Sequence, residues 1–380
     1  MLLMTCGGRL ENWERQGLID RELMYYEHMF EVGLKKVNIL DYGTGRTEKV
    51  IDSRFTPLPK RWLRNEILYS LVAVFAYYRS FVRSQIIKTN QSYGAWVGVI
   101  ARLLVPGKKL VVRCGWVRTE EMMRKDEGKA GFWLWFHQKV EWFSFRFATA
   151  IIVASPANRD YVAKTYSIDP DKIIVVRNSV NTDRYFPDTG DGNTGHEFRI
   201  VLIGRLVEMK NFQGVIEAVA NIDHSIHLRI LGDGPYRKNL EDLALQLGVK
   251  VSFDQFVPND VVPDIIRSSD LFILPQFYAS GMPKVTLEAM ACGVLTLSTD
   301  ILTHRQIVRH GDNGMLCGCN ADEIRVAIEE ILVMPPGERR SLIDQALQDI
   351  AENHDMRNNA HREYRLMQRL INGESIPRAA

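Results

Sequence analysis

Short runs of β-branched and apolar residues alternate along this chain with longer stretches of helical periodicity, and no other feature of the sequence constrains the fold as much. Strands separated by helices pair in parallel, because a parallel neighbour is reached only by a crossover of a dozen or more residues, and the helices then cover both sheet faces. The runs Leu2–Thr5, Val37–Leu40, Ser84–Lys88, Leu110–Arg113, Ala150–Ala154 and Ile173–Val176 predict one such sheet. A second is predicted by Arg199–Ile203, His227–Leu231, Lys250–Phe253, Leu271–Leu274 and Leu295–Ser298. Each half reads as a Rossmann-like α/β stack, and 380 residues at 46% hydrophobic content are enough to build two cores with a cleft between them.

Between the two sets of strands, the segment 183–198 contains Pro187 and the run Asp188 to Gly195, which is rich in turn formers and has no periodicity. It reads as an interdomain linker. The chain thus divides into residues 1–182, the linker 183–198, residues 199–355 and a terminal segment 356–380. In that last segment Ala360, Tyr364, Met367 and Ile371 fall on one helical face, set against Arg362, Arg365 and Arg369. This predicts a helix that crosses back to brace the first domain.

The net charge of +2 conceals an asymmetry, since residues 1–180 hold 28 lysines and arginines against 18 acidic residues, leaving 20 against 28 for the remainder. A basic half suits an anionic partner such as a phospholipid surface or a lipid pyrophosphate, and a solvated basic face gives the same count. The five cysteines are scattered, and Cys317 and Cys319 lack a second pair or histidines at zinc-ligand spacing, so neither metal nor disulfide is expected. Met1 to Cys6 lacks the basic leader of a signal peptide, so a cytoplasmic location is the expectation. Ile67 to Tyr78, the longest nearly uncharged stretch, is about half of the roughly 20 residues a bilayer span needs and reads as a buried helix.

Two constellations carry chemistry. The strand Arg199–Ile203 runs into Gly204-Arg205-Leu206-Val207-Glu208-Met209-Lys210-Asn211, which places two cations at the carboxyl edge of a parallel sheet, where ligands of α/β proteins bind. Arg205 offers a bidentate fork and Lys210 a compact charge, a combination suited to a pyrophosphate; a surface turn with two solvated cations has the same sequence. Further on, Leu271–Pro275 is followed by Gln276 to Lys284, including Ser280, Gly281, Met282 and Pro283, and then by a helix through Glu288. Gly281 lets a ligand approach the backbone, first-turn N–H groups point at a bound anion, and Pro283 suits a helix start. Glu288, about one turn in, is placed to accept hydrogen bonds from a ribose diol, or to answer the helix dipole.

With these residues in view the chain resembles the retaining GT-B glycosyltransferases of family 4, the group 1 glycosyltransferases. The resemblance runs through Gly204-Arg205-Leu206 with Lys210-Asn211, Ile230 to Pro235, Ser269 to Pro275, Gly281-Met282-Pro283, Glu288 to Gly293 and Asn313-Gly314. It implies two Rossmann-like domains facing each other across a cleft, with the first binding an acceptor and the second a nucleotide sugar. It implies that Arg205 and Lys210 hold the donor diphosphate, that Glu288 binds the ribose and that Phe256 and Val257 lie by the base. Gly204, Ser280, Gly281, Met282, Pro283 and Lys284 then complete the donor site. The implied reaction transfers a sugar from a UDP- or GDP-linked donor to a glycan or lipid-linked acceptor, with retention, in cell-surface polysaccharide or glycolipid synthesis. Neutralising the leaving diphosphate is then the main catalytic demand, so no metal or other cofactor is expected, nor any nucleic-acid partner.

The chain departs from the family at Ser280, eight positions before Glu288, where a second glutamate is usual, and a nucleotide-sugar-binding protein without turnover is the alternative. A dinucleotide-dependent dehydrogenase is disfavoured by the missing G-x-G-x-x-G after the first strand. In the first domain Gly7 and Gly8 directly follow the first strand and either line the cleft or form a tight strand-to-helix turn, and where many members of the family place His-Gly after a central strand this chain has Arg113 and Cys114; these four are the acceptor-side or cleft candidates. Between Lys125 and Phe147 eight Phe and Trp residues are interleaved with Lys129, Lys139 and Arg146. Such a run packs as core on one face of a covering helix, or lies at the surface of an anionic membrane on the cytoplasmic side.

Overall fold

The computed structural model describes residues 1–15, 18–47, 51–115, 117–125, 131–188, 197–255, 257–278 and 282–375. The chain forms two compact units, residues 1–178 with 357–380, and residues 179–356. The middle of the sequence-defined linker, residues 189–196, lies outside the described residues.

The first unit is built on β1 (Leu2–Leu3), β2 (Val37–Leu40), β3 (Phe55–Leu58), β4 (Ile86–Thr89), β5 (Lys109–Cys114), β6 (Ala150–Val153) and β7 (Ile173–Val175). They pair in parallel in the order β3-β2-β1-β4-β5-β6-β7. The second unit holds β8 (Phe198–Ile203), β9 (Ile226–Leu231), β10 (Val251–Asp254), β11 (Leu271–Leu274), β12 (Leu295–Thr299) and β13 (Met315–Cys317), in the parallel order β10-β9-β8-β11-β12-β13. Central strands such as β4, β6, β11 and β12 are buried along their whole length, which is why they read as unbroken apolar runs. Two strands were not legible in the sequence, and both are edge strands. β3 contains Pro57, tolerated where only one side of the ladder is paired, and β13 has three residues.

From β3 to β4, β5 and β6 the chain steps in one direction across the sheet, so right-handed crossovers put the helices Glu66–Ala76, Trp96–Leu104 and Phe132–Arg146 side by side on one face. The first of these is capped by Asn65, whose side chain accepts the Leu68 N–H at 3.0 Å. It is not the buried helix its composition suggests. Tyr69, Ala73 and Val74 pack inward, whereas Ile67, Leu68, Leu71 and Phe75 are exposed. The aromatic helix divides in the same way, with Leu134 and Phe145 in the core while Phe132, Trp133, Trp135 and Trp142 face solvent. Residues 126–130 of that run lie outside the described residues.

The steps from β1 to β2 and β3 run the other way, which puts the helix Ile19–Glu31 on the opposite face. There it meets the terminal helix Met356–Asn372, which belongs to the first unit from Arg357 onward. Ala360 and Met367 are buried as the periodicity predicts, but the decisive residue on this helix is charged. Glu363 is completely buried, pairs with Lys88, accepts the Tyr25 hydroxyl at 2.9 Å and lies 3.5 Å from Arg113. The Lys88 ammonium sits 4.7 Å from the Tyr26 ring centroid. Burial alone would push the Glu363 carboxyl up; the charges of Lys88 and Arg113, with hydrogen bonds from Lys88 and Tyr25, overcome it and hold the group below its ordinary range.

Glu363→Gln should therefore strand Lys88 without a counter-charge and cost about 3–5 kcal/mol in urea unfolding. The double replacement Lys88→Met with Glu363→Leu should recover most of that loss, and an equal loss in the double would show that packing, not charge pairing, holds the helix.

Candidate active site

The carboxyl edge of the second sheet is organised by two glycine turns that lie backbone against backbone. A Cβ added at Gly232 would overlap the Gly204 carbonyl oxygen, and one at Gly234 would overlap the carbonyl of Leu206. Only glycine allows this approach, and Gly232 also has φ of +146°. The turns are then joined by hydrogen bonds from Gly204 N–H to the Leu231 carbonyl, from Leu206 N–H to that of Asp233, both at 2.9 Å, and from Tyr236 N–H to that of Leu206 at 3.1 Å. The Gly-Asp-Gly-Pro run after β9 is thereby explained: it braces the turn that carries Arg205.

Arg205 is exposed, and among the described residues nothing pairs with its guanidinium or with the Lys210 ammonium. Lys210 closes a short 3-10 turn, Glu208–Lys210, and its stem lies beside Gly204. Burial, which disfavours the charged ammonium, lowers its pKa. The following Asn211 has φ of +53°, a conformation asparagine tolerates, and its amide donates to the Cys319 carbonyl at 2.8 Å. The Phe277 N–H donates to the Met209 carbonyl at 3.2 Å, tying the segment after β11 to the Lys210 turn.

Behind Lys210 stands His304, a residue for which the sequence offers no spacing signal. It is 1% exposed, and its Nδ1–H donates to the Thr299 carbonyl at 2.9 Å. No described group pairs with its Nε2. Burial, reinforced by the Lys210 charge and opposed by the bond to Thr299, pushes the imidazole down to about 4. It is thus neutral at pH 7.

The helix Lys284–Ala291 has Pro283 at its cap, one position earlier than a proline inside the first turn would stand. Proline offers those first-turn N–H groups no side-chain acceptor. Glu288 lies half-buried in the second turn, Met282 is buried in the core, and Val257 packs against the same core. Phe256, Ser280 and Gly281 lie outside the described residues.

In the first unit, Gly7 has φ of +83°, and a Cβ there would overlap the Glu66 carboxylate, so the turn after β1 requires glycine. The Gly8 N–H closes that turn onto the Thr5 carbonyl at 2.6 Å. The other two acceptor-side candidates are corrected. Cys114 is fully buried and its thiol is pushed up by burial, while the Arg113 head is engaged with Glu363 and lies over the Tyr25 ring. Both side chains serve packing because β5 is a central strand covered on both faces.

Comparison with known proteins matches residues 191–359 to the family described as Glycosyl transferases group 1, and residues 37–184 to Glycosyltransferase Family 4. The chain belongs to the group 1 glycosyltransferases. An uncharacterised glycosyltransferase of Methanocaldococcus jannaschii is 28% identical over 234 residues, 58% of this chain and 60% of that protein. An Escherichia coli UDP-Gal:alpha-D-GlcNAc-diphosphoundecaprenol alpha-1,3-galactosyltransferase is 25% identical over 249 residues, 62% of each. The matched segments thus span about 60% of these relatives' own length. Among solved structures, Anabaena HepE in complex with UDP and glucose superposes with a TM-score of 0.75 at 17% identity, covering 97% of this chain and 98% of that one. At that identity the likeness is one of fold, and this group 1 glycosyltransferase shares its pair of Rossmann-like units.

Gly232→Ala should lower stability by about 1–3 kcal/mol, because the methyl group must push the Arg205 turn aside, and thermal unfolding measures it. A variant that melts like the wild type would show that the turns are not in contact.

His304 gives a second test. Between pH 6.5 and about 4 the unfolded chain takes up a proton that the folded chain refuses, so stability falls with pH through that window by about 1.4 kcal/mol per unit. His304→Asn should flatten this slope; an unchanged slope in melting experiments would show that His304 titrates normally.

Proposed function

We propose that this chain transfers a sugar from a UDP- or GDP-linked donor to a glycan or lipid-linked acceptor, with retention at the anomeric carbon, in cell-surface polysaccharide or glycolipid synthesis. The observation that carries this reading is the pair of cations, Arg205 and Lys210, that no described group neutralises, on a turn held by glycine contacts at the carboxyl edge of the second sheet. Such a turn is preorganised for a diphosphate. The nucleotide sugar and acceptor in the name of the Escherichia coli relative support the same substrate classes.

The bond that breaks joins the anomeric carbon to the terminal phosphate oxygen, and the electron pair leaves with the diphosphate. Arg205 and Lys210 would neutralise that growing charge, Lys210 with little rearrangement because its stem is already packed. His304, being neutral, adds no competing charge behind the lysine and leaves the diphosphate as its partner. First-turn N–H groups of the Lys284–Ala291 helix would add positive potential, and Glu288 would accept hydrogen bonds from the ribose. In this scheme the cations do the work that a divalent metal does elsewhere. Among the described helices none is long and apolar enough to cross a membrane, and we place the reaction on the cytoplasmic side.

Arg205→Ala and Lys210→Ala should each lower turnover by about 10²–10³, measured with a donor that the wild type accepts, and full activity in either would remove the diphosphate assignment. Glu288→Gln should weaken nucleotide diphosphate binding about ten- to a hundredfold in calorimetry. Turnover should persist in excess chelator. Tight donor binding with neither transfer nor donor hydrolysis would identify a nucleotide-sugar-binding protein of this fold instead.

A further inference from the structure

The helices Glu66–Ala76, Trp96–Leu104 and Phe132–Arg146 share one face of the first sheet, and all three leave large apolar side chains in water. Phe75 is 63% exposed, Leu103 65%, Trp133 66% and Trp135 54%, and Trp62, just before the first of these helices, is 77% exposed. A helix that merely covers a sheet turns polar residues outward, and a contiguous apolar surface on a monomer marks a binding face.

Charge identifies the partner. The three helices carry two carboxylates, and neither faces the apolar surface as a free charge. Glu66 is paired to Arg9 at 2.7 Å, and Glu141 is buried and accepts the hydroxyls of Thr119 and Tyr166 at 2.7 and 2.6 Å. Cations rim the face instead. Between the Trp96–Leu104 and Phe132–Arg146 helices lies a recess of about 490 Å³, lined by Arg102, Arg146 and Lys172 together with Leu103, Trp142 and Phe147 and by no carboxylate. The Arg102 guanidinium is set in place by bonds from Nη1 to the Phe147 carbonyl at 2.8 Å and to the Thr149 hydroxyl at 3.0 Å. No described carboxylate pairs with Arg146 or Lys172.

We propose that this face docks on an anionic lipid bilayer, with the exposed tryptophans and phenylalanines entering the headgroup boundary and the recess at Arg102, Arg146 and Lys172 seating a lipid phosphate. Tryptophan suits that depth because its ring is apolar and its N–H reaches water, and three converging cations match a phosphate flanked by acyl chains. A protein partner would meet tryptophans and cations with no free carboxylate on the three helices to complement its own cations, so the bilayer is the better match.

Vesicle co-sedimentation tests this without donor or acceptor, so its outcome is independent of the sugar-transfer reading. The protein should pellet with phosphatidylcholine vesicles containing phosphatidylglycerol, less so with phosphatidylcholine alone, and the binding should fall steeply with salt. Trp133→Ser with Trp135→Ser should reduce partitioning by about tenfold or more on either lipid. Arg146→Gln and Lys172→Gln should reduce it about fivefold each on the anionic vesicles only. All four side chains are at least partly exposed, so circular dichroism should be unchanged. A wild-type protein that stays in the supernatant with anionic vesicles at low salt overturns the proposal. So do variants that pellet like the wild type, or light scattering that shows oligomers dispersed by the tryptophan changes in a protein that ignores vesicles.

Discussion

A parallel sheet covered by helices on both faces has no room for polar chemistry along its strands, so function is pushed to the strand ends. In the second unit β11 and β12 are buried from end to end, and the first polar groups after β8 are those of the Gly204 turn. Everything proposed for this site depends on how that turn is held. Two glycines from the next crossover, Gly232 and Gly234, let a second backbone lie against it at a distance no side chain would permit. The contact turns a loop that would otherwise be mobile into a fixed platform for Arg205, and Asn211 continues the support by tying the Lys210 side to Cys319.

Charge is handled in opposite ways in the two units. Lys88 in the first is buried against Glu363 and two tyrosine rings, and so is committed to structure. Lys210 in the second is also partly buried, yet its neighbour is an imidazole held neutral rather than a carboxylate. Burying a cation beside a neutral group is costly unless an anion arrives. That contrast separates Lys88, committed to structure, from Lys210, which no described group neutralises, and their sequence surroundings do not.

The outer surface of the first unit shows the limit of composition as a guide. The helix Glu66–Ala76 is apolar on nearly all sides, which normally signals deep burial, and the aromatic helix Phe132–Arg146 carries large rings on both its inner and outer faces. Here each has one face packed on the sheet and one in water, because no further layer of the unit covers them. A one-dimensional pattern cannot distinguish a helix buried by its neighbours from one that offers its second face to something outside the chain.

The sequence by itself determined the two parallel sheets, the positions of nearly all their strands along the chain, the family, and the donor-side candidates Arg205, Lys210 and Glu288. Local spacing suffices for these, since a strand, its glycine turn and the following helix are contiguous in the chain. Tertiary structure alone decided what distant residues do to one another. It added the edge strands β3 and β13, withdrew Cys114 and engaged Arg113 in packing, and brought His304 behind Lys210. It also joined Glu363 to Lys88 across 275 positions of chain. Burial and pairing depend on contacts made through space between elements that folding brings together, and no spacing along the chain encodes which of two faces of an apolar helix is left in water.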